Sequence, residues 1–70
     1  MPTASDPKYP DIEVPLTQID GNAMVIVGAV RRALRRAEVP HEEIEAFSED
    51  ALSGDYDHVL QTVMSWVSVS

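Results

Sequence analysis

The sequence contains no cysteine, so disulfide bonds and thiolate metal sites are excluded. No apolar run approaches the roughly 18 residues that a membrane-spanning helix requires. The N-terminal sequence MPTASDPKYPD lacks the basic and then apolar order of a signal peptide. An absence of cysteine is also typical of a reducing compartment. We therefore expect a cytoplasmic protein without a membrane partner.

Positive charge is scarce and unevenly placed. Five lysine and arginine residues stand against twelve aspartate and glutamate residues, which gives a net charge of -7, and no Lys or Arg follows Arg36. A chain this acidic is generally repelled by DNA, RNA and anionic membranes. The charge balance therefore disfavours nucleic acid as a partner.

Glycine is also scarce, and the patterns that carry catalysis are missing. With three glycines, the chain has no P-loop and no glycine-rich phosphate cradle. The sequence HEEIE, which begins at His41, lacks the second histidine of the HExxH zinc motif. The segment DYDH, which ends at His58, has no paired metal-ligand spacing. We expect no catalytic residue, no cofactor and no metal ion, and therefore not an enzyme.

What the sequence does contain is enough apolar material for one small domain. Seventy residues with 44% hydrophobic composition have the ordinary balance of a globular chain. Residues 1–10 hold three prolines among small and polar residues, which predicts a disordered tail. Residues 11–70 are predicted to form a single domain.

A half-buried extended segment opens that domain over residues 11–18. Its apolar residues alternate with polar residues or proline, the period-2 pattern of a strand. Pro15 removes a ladder donor, so the segment is predicted to be an edge strand or an extended strap. Two partners are open to it: the chain's own C-terminal sequence WVSVS, read as a strand rather than a helix, or the same strand of a second copy.

Three helical segments follow, over residues 22–38, 41–52 and 55–67. Each places its apolar residues on one face, and Pro40 and Gly54 separate them. We therefore predict an all-α fold, a compact three-helix domain with an extended N-terminal strap. The predicted core consists of Ile26, Val27, Val30, Leu34, Ile44, Phe47, Tyr56, Val59, Leu60, Val63, Trp66 and Val67.

The first half of the first helix is apolar nearly all round, because Met24, Val25 and Gly28 lie opposite its core face. A helix that is apolar on all sides is normally buried on all sides. Either the strap folds back over these three residues, or this surface meets a second copy of the chain, giving a homodimer. Gly28 costs helix propensity, which predicts close approach of another backbone at that point.

Four arginines lie on the same side of the helix, nearer its C-terminus: Arg31, Arg32, Arg35 and Arg36. Their simplest role is ion pairing with the acidic residues of the second half of the chain. They could instead contact nucleic-acid phosphates, although no aromatic residue interleaves with them to stack bases. The acidic second half could in turn engage a basic partner.

The sequences DGNA, ALRRA and SGDYDH, followed by a closing M-x-W-V, resemble a family of small uncharacterised bacterial proteins from actinobacterial genomes, plasmids and phages. The resemblance covers about Asp11 to Val69. It implies a small regulatory accessory protein, and it brings no catalytic or binding residues with it.

These observations together favour a non-enzymatic module that binds an unidentified protein partner or regulates one. The predicted interaction surface consists of Met24, Val25 and Gly28 with the adjacent arginine side chains. Nucleic-acid binding through the Arg31, Arg32, Arg35 and Arg36 face is the alternative, and an acidic surface that engages a basic partner is a further one.

Overall fold

Helices make up most of the structure, and a small sheet joins the two ends of the domain. The computed structural model describes residues 7–18 and 21–69. Its elements are strand β1 (Tyr9–Val14), a turn of 3-10 helix (Leu16–Gln18), helices α1 (Ala23–Arg36), α2 (His41–Ala51) and α3 (Tyr56–Trp66), and strand β2 (Val67–Val69). The prediction of three helices in a small compact domain is confirmed.

The helix starts follow local side-chain chemistry. The Asn22 side chain accepts a hydrogen bond from the Met24 amide at 2.8 Å and caps α1. The Asp55 carboxylate accepts from the His58 amide at 3.0 Å and caps α3. Helix α2 has no side-chain cap and begins directly after Pro40, whose fixed φ suits a helix start.

Helix α1 ends two residues before the predicted limit at Glu38. Glu38 has a φ of 63°, in the left-handed region that usually favours glycine. This turn directs the Glu38 amide to the Arg35 carbonyl and the Val39 amide to the Leu34 carbonyl. The paired bonds satisfy the last carbonyls of α1 before Pro40 is reached.

The strap forms a strand that pairs in parallel with the C-terminus of the same chain. Tyr9 lies opposite Val67 and Val14 opposite Val69, with a bulge between Tyr9 and Glu13. The first of the two predicted partners is therefore the observed one. Because both ends of the domain are strands, the description all-α holds only approximately, and the third helix ends at Trp66 instead of residue 67.

The predicted tail, residues 1–10, falls mostly outside the described residues, since residues 1–6 are not among them. Its last residues are described, and Tyr9 and Pro10 belong to β1. The strand begins this early because the Tyr9 ring stacks on the Trp66 ring, with centroids 6.0 Å apart.

The core lies between the three helices and the inner face of the sheet. Its fully buried side chains are led by Phe47, Leu34 and Val30, and Val14 joins them from β1. The predicted core is wrong at Tyr56, which is 43% exposed. Tyr56 starts α3, so its ring reaches past the end of the helix towards Gly21. Leu60 and Trp66 are only partly buried.

Among residues 7–18 and 21–69, no helix has the length and apolar content needed to cross a membrane.

Candidate protein-interaction site

The apolar start of α1 remains exposed. Met24 is 64% exposed and Val25 is 43% exposed. The prediction that the strap folds over them is wrong, because β1 packs on the flank of α1 that carries Ala29 and Ala33 and leaves Met24 and Val25 exposed. Pairing with β2 holds the strap on that flank. The predicted surface is therefore open to solvent at its apolar end.

Gly28 lies in the middle of the same exposed face. A Cβ built on Gly28 would meet no atom within 4 Å among its neighbours in the described chain. The prediction that another backbone approaches Gly28 is therefore wrong for residues 7–18 and 21–69 of the same chain. The absence of a side chain leaves a shallow, accessible strip of helix backbone between the apolar and the basic halves of α1.

Of the four arginines, only Arg31 forms side-chain contacts with α2 among the described residues. Arg31 is half-buried; its Nη2 lies 3.1 Å from Oε2 of Glu45, and its Nη1 donates to the Ser48 hydroxyl at 3.0 Å. The Ser48 hydroxyl in turn donates to the Ile44 carbonyl. Arg31 therefore joins α1 to α2, and the predicted pairing with the chain's own acids applies to this arginine.

Arg32, Arg35 and Arg36 are exposed. Among the ion pairs of the described residues, none involves these three guanidinium groups. The result is a local cationic patch on a chain of net charge -7.

An open groove of about 150 Å³ separates this patch from β1. The groove is lined by Glu13, Val14, Pro15, Ala29, Arg32, Ala33 and Arg36. The two alanines of α1 form a low apolar floor, and two arginines and one glutamate form a charged rim. Sequence reasoning identified the arginines and missed the opposite wall, because no pattern in the sequence says which flank of α1 the strap occupies.

The chain matches no protein-family model, and it matches neither a curated protein nor a solved structure. The resemblance to a family of small bacterial proteins therefore stays a prediction.

A second cluster, the N-terminal clamp, consists of Lys8, Tyr9, Glu43 and Trp66. The Lys8 ammonium pairs with the Glu43 carboxylate and lies 4.6 Å from the centroid of the Trp66 ring. The Tyr9 hydroxyl donates to the same carboxylate at 3.2 Å. No local pattern indicates this cluster, because the composition of residues 1–10 predicts a disordered tail that includes Lys8 and Tyr9.

The clamp changes the acid–base behaviour of its members. The hydrogen bond from Lys8, opposed by desolvation, lowers the pKa of Glu43 below its ordinary value of 4.5. The hydrogen bond to Glu43 raises the pKa of Lys8. Desolvation and the nearby Glu43 charge raise the pKa of Tyr9. All three shifts favour the charged pair and a neutral phenol, which is the arrangement that holds the strap on α2 and α3.

The histidines that suggested chemistry lie at helix ends. His58 Nε2 is 2.8 Å from the Asp50 carbonyl oxygen, 3.4 Å from Asp50 Oδ1 and 3.3 Å from Ser53 Oγ. All three contacts use one ring nitrogen, whereas a nucleophile–base–acid relay uses both. The ring therefore closes the end of α2. A Cβ on Gly54 would lie 2.8 Å from His58 Cβ, so the turn requires glycine.

Proposed function

We propose that this protein is a non-enzymatic protein–protein interaction module that binds its partner through the outer face of α1. The α1 outer face is defined by Met24, Val25, Gly28, Arg32, Arg35 and Arg36. The observation that supports it best is the 64% exposure of Met24 in an apolar strip that continues directly into three arginines, none of which forms an ion pair within the described part of the chain.

The apolar end of the face supplies the driving force for association. Full burial of a methionine or valine side chain contributes about 1.5–3 kcal/mol. Met24 and Val25 retain much of that potential, because each remains substantially exposed in the monomer. Methionine and arginine are also enriched at the centres of protein interfaces. A partner that covers both ends of the face would bury apolar area and compensate positive charge together.

The absence of an enzymatic role is part of the same proposal. Pockets that hold substrates or cofactors usually measure about 300–1,000 Å³. The groove beside Arg32 and Arg36 is about 150 Å³ and open to solvent. Its shape suits a side chain of another protein better than a sequestered reaction.

The test is affinity capture from the native host with three forms of the full chain: wild type, Met24→Gln with Val25→Gln, and Met64→Gln. Met64 is a matched control, since it is 47% exposed on α3, away from the face. We expect one protein to be recovered by wild type and by the Met64 variant, and to be lost with the α1 variant. Equal recovery by all three forms would contradict the proposal.

A second copy of the chain is the simplest protein partner, and it is tested separately. Sedimentation at several concentrations measures self-association, and the Met24 and Val25 variant shows whether any dimer uses the outer face. Concentration-dependent association that the variant removes would identify the partner as a homodimer. A strict monomer would direct the search to another protein.

The exposed arginines also keep nucleic-acid binding as a second candidate function. Arg32, Arg35 and Arg36 together could neutralise about three phosphates, and such binding falls steeply with salt. DNA or RNA affinity at low salt that disappears when all three become alanine would favour this candidate. No binding at low salt would exclude it.

The acidic surface is the remaining candidate. A basic partner that is lost when Glu49 and Asp57 are neutralised, with α1 intact, would favour it.

A further inference from the structure

The groove side of the α1 outer face combines residues of two kinds at helical spacing. Its row follows the i, i+4, i+7, i+11 pattern of one helix flank, through Val25, Ala29, Arg32 and Arg36. The first half of the row is apolar and the second half is cationic. An occupant that lies along it must therefore offer apolar surface at one end and negative charge at the other.

The two arginines of the row are one helical turn apart and like-charged. Such i, i+4 pairs destabilise a helix unless the charge is compensated. Neither Arg32 nor Arg36 has a carboxylate within ion-pair distance among the described residues. A carboxylate placed between them would accept hydrogen bonds from both guanidinium groups, the strongest class of hydrogen bond available to a side chain.

The lining of the groove suits an aliphatic group as well as a negatively charged one. Val14 and Pro15 form one wall, and Ala29 and Ala33 form the floor between the arginines and β1. A space of about 150 Å³ accommodates one aliphatic side chain beside a carboxylate group, and it is too small for a ligand the size of a cofactor. Both halves of the required chemistry are thus available in a single short peptide segment.

We propose that this groove binds a segment of a protein partner that places an aliphatic side chain over Ala29 and Ala33 and a carboxylate between Arg32 and Arg36. This inference rests on the proposed function, because it specifies the partner that the outer face recognises. Glu13 stands at the rim of the same groove and competes with the incoming carboxylate.

A protein carboxylate fits the charge distribution better than a polyanion does. The positive patch is local, whereas the whole chain carries a net charge of -7. A long polyanion meets that negative field over many charges, while a single carboxylate meets only the patch, since more distant charges are screened beyond about 8 Å at physiological salt. Inorganic phosphate is also a single small anion, but it has no apolar surface to contact Ala29 and Ala33, so we expect it to bind more weakly than a carboxylate that carries an aliphatic chain.

The test titrates the full-length chain with 4-methylpentanoate, which joins a 3-methylbutyl group to a carboxylate, and follows backbone amides by NMR. Its neutral amide and inorganic phosphate are the comparison probes. We expect 4-methylpentanoate to shift the amides of Ala29, Arg32, Ala33 and Arg36. The neutral amide should bind about tenfold more weakly, since it lacks a charge-assisted hydrogen bond. Phosphate that binds the same residues as tightly, or no shift in the groove, would overturn the inference.

Three variants locate the site. Arg36→Gln should weaken 4-methylpentanoate about tenfold, whereas Arg35→Gln removes the same charge from the same helix outside the groove and should change affinity little. Glu13→Gln removes the competitor and should strengthen binding severalfold. Equal losses in the Arg35 and Arg36 variants would indicate a diffuse field and contradict a groove.

The two proposals fail in distinguishable ways. If the Met24 and Val25 variant loses its partner but 4-methylpentanoate leaves the groove amides unmoved, the groove inference is wrong and the proposed function stands. If 4-methylpentanoate binds the groove while partner capture is the same for all forms, the proposed function is wrong. The assignment of the groove to a protein segment is then wrong as well.

Discussion

The two faces of α1 are both rich in apolar residues in its first half, yet they have opposite environments. One face, with Ile26, Val27 and Val30, is buried in the core, while Met24 and Val25 one step around the helix stand in solvent. The difference lies in what each face has available to cover it. Helices α2 and α3 and the sheet satisfy one side, and no described element reaches the other. An apolar helix surface in the sequence therefore predicts that the surface will be buried, but it does not predict which element or partner covers it.

The largest expected effect tests the buried face against the outer face. Leu34→Ala removes a fully buried side chain, and we expect it to lower the free energy of unfolding by about 2–5 kcal/mol. Met24→Ala on the outer face should change it by less than about 0.5 kcal/mol. Denaturant unfolding followed by circular dichroism measures both. Similar losses in the two variants would show that Met24 is covered in solution.

The second prediction uses the glycine in the centre of the outer face. Gly28→Ala adds a methyl group into open space and improves helix propensity, so it should stabilise the isolated chain by about 0.5–1 kcal/mol. Gly54→Ala is the contrasting change. Its Cβ would collide with His58, so this variant should be less stable than wild type. Thermal unfolding of both variants measures the signs. A destabilising Gly28→Ala would mean that something already lies against the helix at this point.

The sequence alone predicts the limits of the helices well, but it does not predict where the strap lies. The helix limits were largely readable from Asn22, Pro40 and Gly54, because capping and chain breaking are local chemistry. The 3.6-residue period of the helix also predicts which residues form the outer face of α1. The side on which the strap lies was not readable, since period 2 fixes which residues of a strand face inward and says nothing about the flank that the strand covers.

The strap position depends on contacts between residues far apart in the chain. Tyr9 on Trp66 and Lys8 on Glu43 connect positions that no local pattern relates. The proline-rich composition around Lys8 instead indicated a disordered tail. Likewise, the arginine run looked like one basic face, and only the placement of α2 separates Arg31 from its three neighbours.

The third prediction compares that engaged arginine with an unengaged one. Arg31→Ala removes contacts to Glu45 and Ser48, and should lower the free energy of unfolding by about 1 kcal/mol. Arg35→Ala removes the same charge and should change stability by less than about 0.5 kcal/mol. An equal effect on stability would place Arg35 in an ion pair in solution.

The smallest effect concerns the clamp that keeps the strap away from the outer face. Because the pKa of Glu43 is depressed in the folded chain, the clamp is fully formed above the ordinary carboxyl value of 4.5 and is lost as pH falls through the lower folded pKa. The pKa of Lys8 is raised, so its contribution is present below 10.5 and is lost as pH rises further. The strap is therefore expected to be held across the whole neutral range.

Trp66 is the single tryptophan of the chain and reports on this clamp directly. Its fluorescence should change on acidification below pH 4.5, as protonated Glu43 releases Lys8 from the ring. Glu43→Gln should remove that transition, whereas Glu42→Gln, the adjacent acid outside the clamp, should retain it. If both variants behave like wild type, other carboxyl groups govern the acid transition. The position of the strap would then depend on β1–β2 pairing, the Tyr9–Trp66 stack and the burial of Val14 in the core.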